Sequence, residues 1–210
     1  MITQTGGGCR ATNYIGFIRK ALKDAGFTQV PVISFNVGGL ESNPGFKLSV
    51  SLISKLIKGI VLADVLQKML YKNRAYELYV GQSERLFKGW LKRAKQLVVE
   101  GSIKEVGETI QRIVADFEQI EFNKDLNKPK VGIVGEILIK YHPYGNNFAA
   151  ELLEKEGAEV ILPDLMGFLK FMATDNIVAN NLYTNNKKGA ILSDLALKVL
   201  DFFEKATKKP

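Results

Sequence analysis

A chain of 210 residues with 46% hydrophobic and 24% charged side chains is long enough to bury a sizeable core and too apolar to be disordered. No apolar run approaches the ~20 residues of a membrane-spanning helix, and a single cysteine with a single histidine excludes both a disulfide framework and a zinc site built within the chain. The formal charge of +7 is spread in short pairs such as Lys187-Lys188 and Lys208-Lys209, with no arginine-rich tract, so neither nucleic acid nor a membrane is expected as a partner.

The start, MITQTGG, is too polar for a signal peptide, and with the lone cysteine it points to a reducing cytoplasm. ITQ reads as the end of a strand cut short, running into three glycines and then Cys9. From Ala11 to Ala25 the apolar positions Tyr14, Ile15, Phe17, Ile18, Ala21 and Leu22 fall at helical spacing, with Gly26 where a C-terminal cap is expected. QVPVISFNV then reads as a buried strand. Strand end, glycine loop, helix and strand make the first α/β half-unit, residues 1–47.

Residues 48–127 carry no strong strand signal. SLISKLIKGIVLADVLQKMLYKNRAYELY, SERLFKGWLKRAKQLVVE and VGETIQRIVADFEQIEF are amphipathic at the helical period and predict a mainly helical segment broken at Gly81 and Gly101, with Trp90 in its core. The α/β pattern returns over residues 128–210. There KVGIVGEILI predicts a strand, NNFAAELLEKEG a capped helix ending at Gly157, and AEVILPD the next strand. Helices follow at about Leu165 to Asn180 and Ala190 to Ala206. The expected fold class is therefore α/β, with Rossmann-like three-layer βαβ units and a helical insertion.

Two strand-to-helix turns carry the chemistry. At the first, Gly6, Gly8 and Ala11 fit Gly-x-Gly-x-x-Gly/Ala, but the second strand ends in Phe35 and Asn36 where a dinucleotide site needs an acid. A Walker loop would end in Gly-Lys-Ser/Thr, and a cysteine phosphatase would place Arg where Ile15 stands. What remains is a thiol at the start of a helix, beside Arg10, where unpaired amides favour the thiolate. Thiolates attack electrophiles or bind metal, and the glycines leave room for something bulky. The alternative is a small buried Cys packed in a tight turn. The second turn, GEILIKYHPYGNN, carries Glu136 and His142 just beyond a predicted strand, where they could line a site facing Cys9, as a proton donor. Its bland counterpart has Asn146 or Asn147 capping the next helix and His142 in a structural hydrogen bond.

TQTGGGCRATNYIGFIRKALKDAGF, VPVISFNVGGLESNPGFK and KPKVGIVGEILIKYHPYGNNFAAELLEKEGAEVILPDL together closely resemble the CoA-substrate-specific enzyme activases, large activator proteins related to 2-hydroxyacyl-CoA dehydratases. The resemblance covers nearly the whole chain and marks it as an internal, dehydratase-subunit-like portion of such a protein. It implies a four-iron four-sulfur cluster to which Cys9 contributes a ligand, with Gly6, Gly7, Gly8, Arg10 and Asn13 around it, and Glu136 and His142 as catalytic candidates. It also implies ATPase domains of the same parent chain as partners, a 2-hydroxyacyl-CoA dehydratase and acyl-CoA as further ones, and low-potential electron transfer as the activity. Such a cluster takes four thiolates and this chain supplies one. No phosphate loop of the ATPase class is present, so ATP hydrolysis is not expected of these residues, and whether they are an enzyme by themselves is left open. The alternative function is a non-catalytic docking or scaffold domain that links the ATPase part to its partner.

Overall fold

The computed structural model describes residues 2–3, 9–35, 49–123 and 125–207, which fall into two compact units, Met1–Leu48 and Ser49–Pro210. In the first unit β1 (Ile2–Thr3) pairs in parallel with β2 (Ser34–Phe35), Ile2 opposite Ser34. Between them a turn of 3-10 helix, Arg10–Asn13, runs directly into α1 (Tyr14–Asp24). Ala11 and Ile15 bury the inner side of this helix, and the Arg19 guanidinium donates to the Val32 carbonyl at 3.3 Å. The helix stops where expected. Gly26 takes the left-handed conformation (φ +79°), while the amides of Gly26 and Phe27 donate to the carbonyls of Lys23 and Leu22.

The second unit is built on α2 (Val50–Arg74), α3 (Gln82–Glu100) and α4 (Ile103–Glu118). Ser49 caps α2 by accepting from the Leu52 amide. At α4 Ser102 and Glu105 form a reciprocal capping box, each side chain accepting the other's backbone N–H. Gly81 and Gly101 flank α3 at its two ends. The core is contributed by Leu62 and Leu66 of α2, Trp90 of α3, Ile113 and Phe117 of α4, and Phe203 further on. Trp90 keeps its one polar atom satisfied by donating from Nε1 to Asp116 at 3.0 Å.

After this bundle β3 (Lys130–Gly132) and β4 (Glu159–Ile161) pair in parallel, with α5 (Ile137–Tyr141) and α6 (Ala149–Lys155) in the crossover. Gly157, at φ +91°, ends α6 in the same left-handed cap. Tyr76 donates its hydroxyl to the buried Glu159 carboxylate at 2.8 Å, tying the bundle to β4. Finally α7 (Leu165–Leu182) and α8 (Lys187–Thr207) pack against each other, joined by Lys170, whose ammonium lies 2.7 Å from Asp201 and 2.6 Å from Glu204. Helix α8 is apolar on two sides. Ala190, Leu200 and Phe203 are buried, while Leu192, Leu195, Val199 and Phe202 form an exposed stripe.

The expected three-layer Rossmann-like α/β architecture is not what this sequence builds. Among the described residues the strands are two or three residues long and form two separate two-stranded parallel sheets, whereas α2, α3, α4, α7 and α8 run 25, 19, 16, 18 and 21 residues. The reason is local competition. In KVGIVGEILI the Glu136 carboxylate accepts the Ile139 amide, so the second apolar half of the run coils into α5 instead of extending β3. In QVPVISFNV Pro31 has no N–H to give a ladder, the Val30 amide turns back to the Phe27 carbonyl, and among the described residues of the run Ser34 and Phe35 pair. Short apolar runs of this kind fit a buried strand and a buried helical turn equally well. Among the described residues, no helix is long and apolar enough to cross a membrane.

Candidate functional site

In the first unit Cys9 precedes the 3-10 turn in extended conformation (φ −91°, ψ 147°), and its carbonyl accepts the Thr12 amide. Its thiol is free and exposed. A packed Cys in a tight turn is therefore not the arrangement here. The buried Ala11 and Ile15 hold this helix end in place, and Arg10 and Asn13 are exposed on either side of Ala11. Gly6, Gly7 and Gly8 lie outside the described residues.

Glu136 and His142 belong to the second unit, at the two ends of α5. One Glu136 oxygen accepts the Ile139 amide at 2.9 Å and caps the helix. The His142 amide donates to the Ile139 carbonyl, while its Nδ1 accepts the Gly145 amide at 3.0 Å. That bond leaves the neutral ring protonated at Nε2. Asn146 completes the turn, donating to the carbonyls of Ile139 and Lys140 and accepting from the Ala149 amide. The loop thus uses its polar side chains on its own backbone. Each of these bonds fixes the exit from β3 toward α6.

The polar cluster beside this turn has a different composition from the one read in the sequence. Asp64, in the middle of α2, reaches the first turn of α7 and accepts the amides of Leu165 and Met166 at 2.9 and 2.8 Å. Asp164 caps the same helix by accepting from Gly167 at 2.7 Å. Burial raises the Asp64 carboxyl above its ordinary value of 3.8 despite those two amides, with the negative charge of Asp164 adding to the rise. Tyr141 donates its hydroxyl to the Pro163 carbonyl, and burial together with the charges of Asp64 and Asp164 pushes its phenol up to about 12. A signal for Asp64 was present: it is the sole acidic residue between positions 48 and 76 of the sequence. An isolated carboxylate in an apolar helix needs a partner, but its partners lie a hundred residues away and are backbone amides.

This arrangement gives a spectroscopic expectation. Of the seven tyrosines, Tyr141 should be among the last to ionise, and Tyr141→Phe should remove a phenolate step near pH 12 from the ultraviolet titration. Because the folded value lies above the ordinary one, the fold loses stability as pH rises from about 10 toward 12. That loss should be smaller in the variant. A wild-type titration complete at the ordinary phenol value would contradict the placement of this hydroxyl.

At the carboxyl ends of the parallel strands β3 and β4, Ile133 and Leu162 form one wall of a crevice of about 270 Å³. Leu66 and Leu70 of α2 with Phe87 and Leu91 of α3 add to its apolar lining. Ligands of parallel sheets bind at this end of the strands. Among the described residues no group of three or more His, Cys, Asp or Glu is placed to hold a metal ion. Comparison of the chain with protein-family models, with curated proteins and with solved structures gives no match.

Proposed function

We propose that this chain is a dehydratase-subunit-like portion of an activator or reductase related to the 2-hydroxyacyl-CoA dehydratases, working in the cytoplasm. In this reading Cys9 supplies one thiolate to a four-iron four-sulfur cluster that serves low-potential electron transfer in acyl-CoA dehydration. The observation that carries it is the free, exposed thiol at the start of a helix whose buried anchors, Ala11 and Ile15, fix the backbone on which it sits. A ligand for a group shared with other segments must be accessible, and Cys9 is.

The donors of these 210 residues do not complete such a cluster, which takes four thiolates where this chain has one. The remaining ligands belong to other parts of a longer protein, alongside ATPase domains that drive the electron. No reaction step is therefore assigned to this chain's residues. When bound, the cluster would supply the one-electron chemistry, and the chain would supply one ligand and its position.

A second reading, a docking or scaffold domain joining the ATPase part to its partner, is favoured by the exposed apolar stripe Leu192, Leu195, Val199 and Phe202 on α8. Its spacing of three and four residues is that of a helix seam. One experiment separates the two readings. Iron and acid-labile sulfide are measured after anaerobic reconstitution of the longer protein, of its Cys9→Ser variant, and of the 210-residue chain. The electron-transfer reading expects the variant to lose the cluster and the short chain never to hold one. Unchanged cluster content in the variant removes Cys9 from the electron path and leaves docking as the function.

A further inference from the structure

The crevice at the ends of β3 and β4 has polar groups that the fold does not use. Among the described residues, the Lys140 ammonium forms no ion pair; it rests 4.6 Å from the centre of the Tyr141 ring at the crevice wall. Asp64, whose carboxyl feels the Lys140 charge, spends both of its oxygens on the amides of Leu165 and Met166. Gln67 and Tyr71 of α2 also line the crevice, and neither the carboxamide nor the hydroxyl has a hydrogen-bond partner among the described residues. Burial raises the Tyr71 phenol, which keeps it a donor. Thus one cation and two neutral donors border a cavity walled by leucines, an isoleucine and a phenylalanine.

We propose that this crevice is a binding site for a small monocarboxylic acid with an apolar body. The carboxylate is held by Lys140, with the Tyr71 hydroxyl and Gln67 amide as further donors, and the body lies against Leu66, Leu70, Phe87 and Leu91. Apolar walls with a few polar groups are the general form of a small-ligand site, and the volume of about 270 Å³ limits the guest to a compact molecule. The choice of a single negative charge follows from Glu151. This exposed carboxylate of α6 borders the same crevice and repels a second anionic group. A phosphate is less suited, because the described residues that line the crevice include one lysine and no arginine. The site is independent of Cys9 and of the electron-transfer reading.

The test uses the folded 210-residue chain and amide chemical shifts, with phenylacetate as the probe and phenylacetamide and phenethylamine as its neutral and cationic counterparts. Saturable shifts should map to the crevice, with the amide and the amine binding at least about tenfold more weakly than the acid. Lys140→Gln should lower affinity for the acid by about tenfold and leave that for the amide unchanged. Ala63→Trp, which places a bulky ring from an exposed position of α2 at the crevice, should block all binding while the chain stays folded. Cys9→Ser should change nothing. Equal binding of acid and amide, shifts located elsewhere, or no saturable shift overturns the proposal.

Discussion

Replacing Phe117 by alanine should lower the unfolding free energy of the second unit by about 4 kcal/mol. Phe117 lies on α4 with no exposed surface, in the same core as Leu62, Leu66, Ile113 and the Trp90 ring. Removing the ring forfeits its transfer free energy and leaves a cavity that two flanking helices cannot close without losing their own contacts. Against a typical stability of about 5–15 kcal/mol, that is at least about a quarter of the total. Trp90 is the sole tryptophan, is buried, and bonds to Asp116, so its fluorescence during urea unfolding reports on this unit. The exposed neighbour Glu118 serves as control, where alanine should change stability by no more than about 0.5 kcal/mol. Similar midpoints for the two variants would mean that Phe117 is not in the core described.

At Asp64 the expected result depends on which substitution is made. Alanine removes both acceptors and leaves the Leu165 and Met166 amides without partners at the start of α7, for a loss of about 2–3 kcal/mol. Asparagine keeps one acceptor and removes a charge that the fold disfavours, so it should cost less than about 1 kcal/mol. The direction of the pKa fixes the sign of the pH dependence. Burial holds the folded carboxyl above 3.8, so above that value the native state binds more protons than the unfolded state and stability falls as pH rises. The stability of wild type relative to Asp64→Asn should therefore decrease as pH climbs through the window just above 3.8. Urea unfolding of both proteins at a series of mildly acidic pH values measures this. A relative stability that increases with pH would show that the two amides outweigh desolvation.

The link between Asp64 and α7 also explains how α2 can organise so much of the second unit. One helix packs on α3, α4, α7 and α8 and also touches β4. Its carboxylate then sets the register at which α7 begins. A change at Asp64 should consequently be felt at the strand ends and at the crevice they border, because Tyr141 hydrogen-bonds to the Pro163 carbonyl just before Asp164.

Much of the local structure was legible from residue types alone. Helical periodicity is plain in α3 and α4, where an amphipathic stripe repeats over four or more turns, and helices were also expected at α2, α7 and α8. Gly26 and Gly157 marked helix ends, since a left-handed cap carries little steric cost only without a side chain. The bonds at Asn146 and His142 are equally local, joining groups within seven residues. The isolation of Cys9 was visible by counting.

What periodicity could not settle was how far each short apolar run would extend as a strand. KVGIVGEILI carries enough β-branched residues for either outcome, and the decision rested on the Glu136 cap and on whether further strands lay alongside. Strand length is set by partners, and partners are distant in sequence. The same holds for the polar cluster. Asp64 meets Leu165 and Met166 across 101 and 102 residues, and Tyr76 meets Glu159 across 83. A composition can show that a buried carboxylate needs a donor, but only the packed chain brings the donor within 3 Å. The residue types therefore determined the helices, their caps and the lone thiol, while tertiary packing decided the short sheets, the charge cluster around Asp64 and the crevice with Lys140 on its wall.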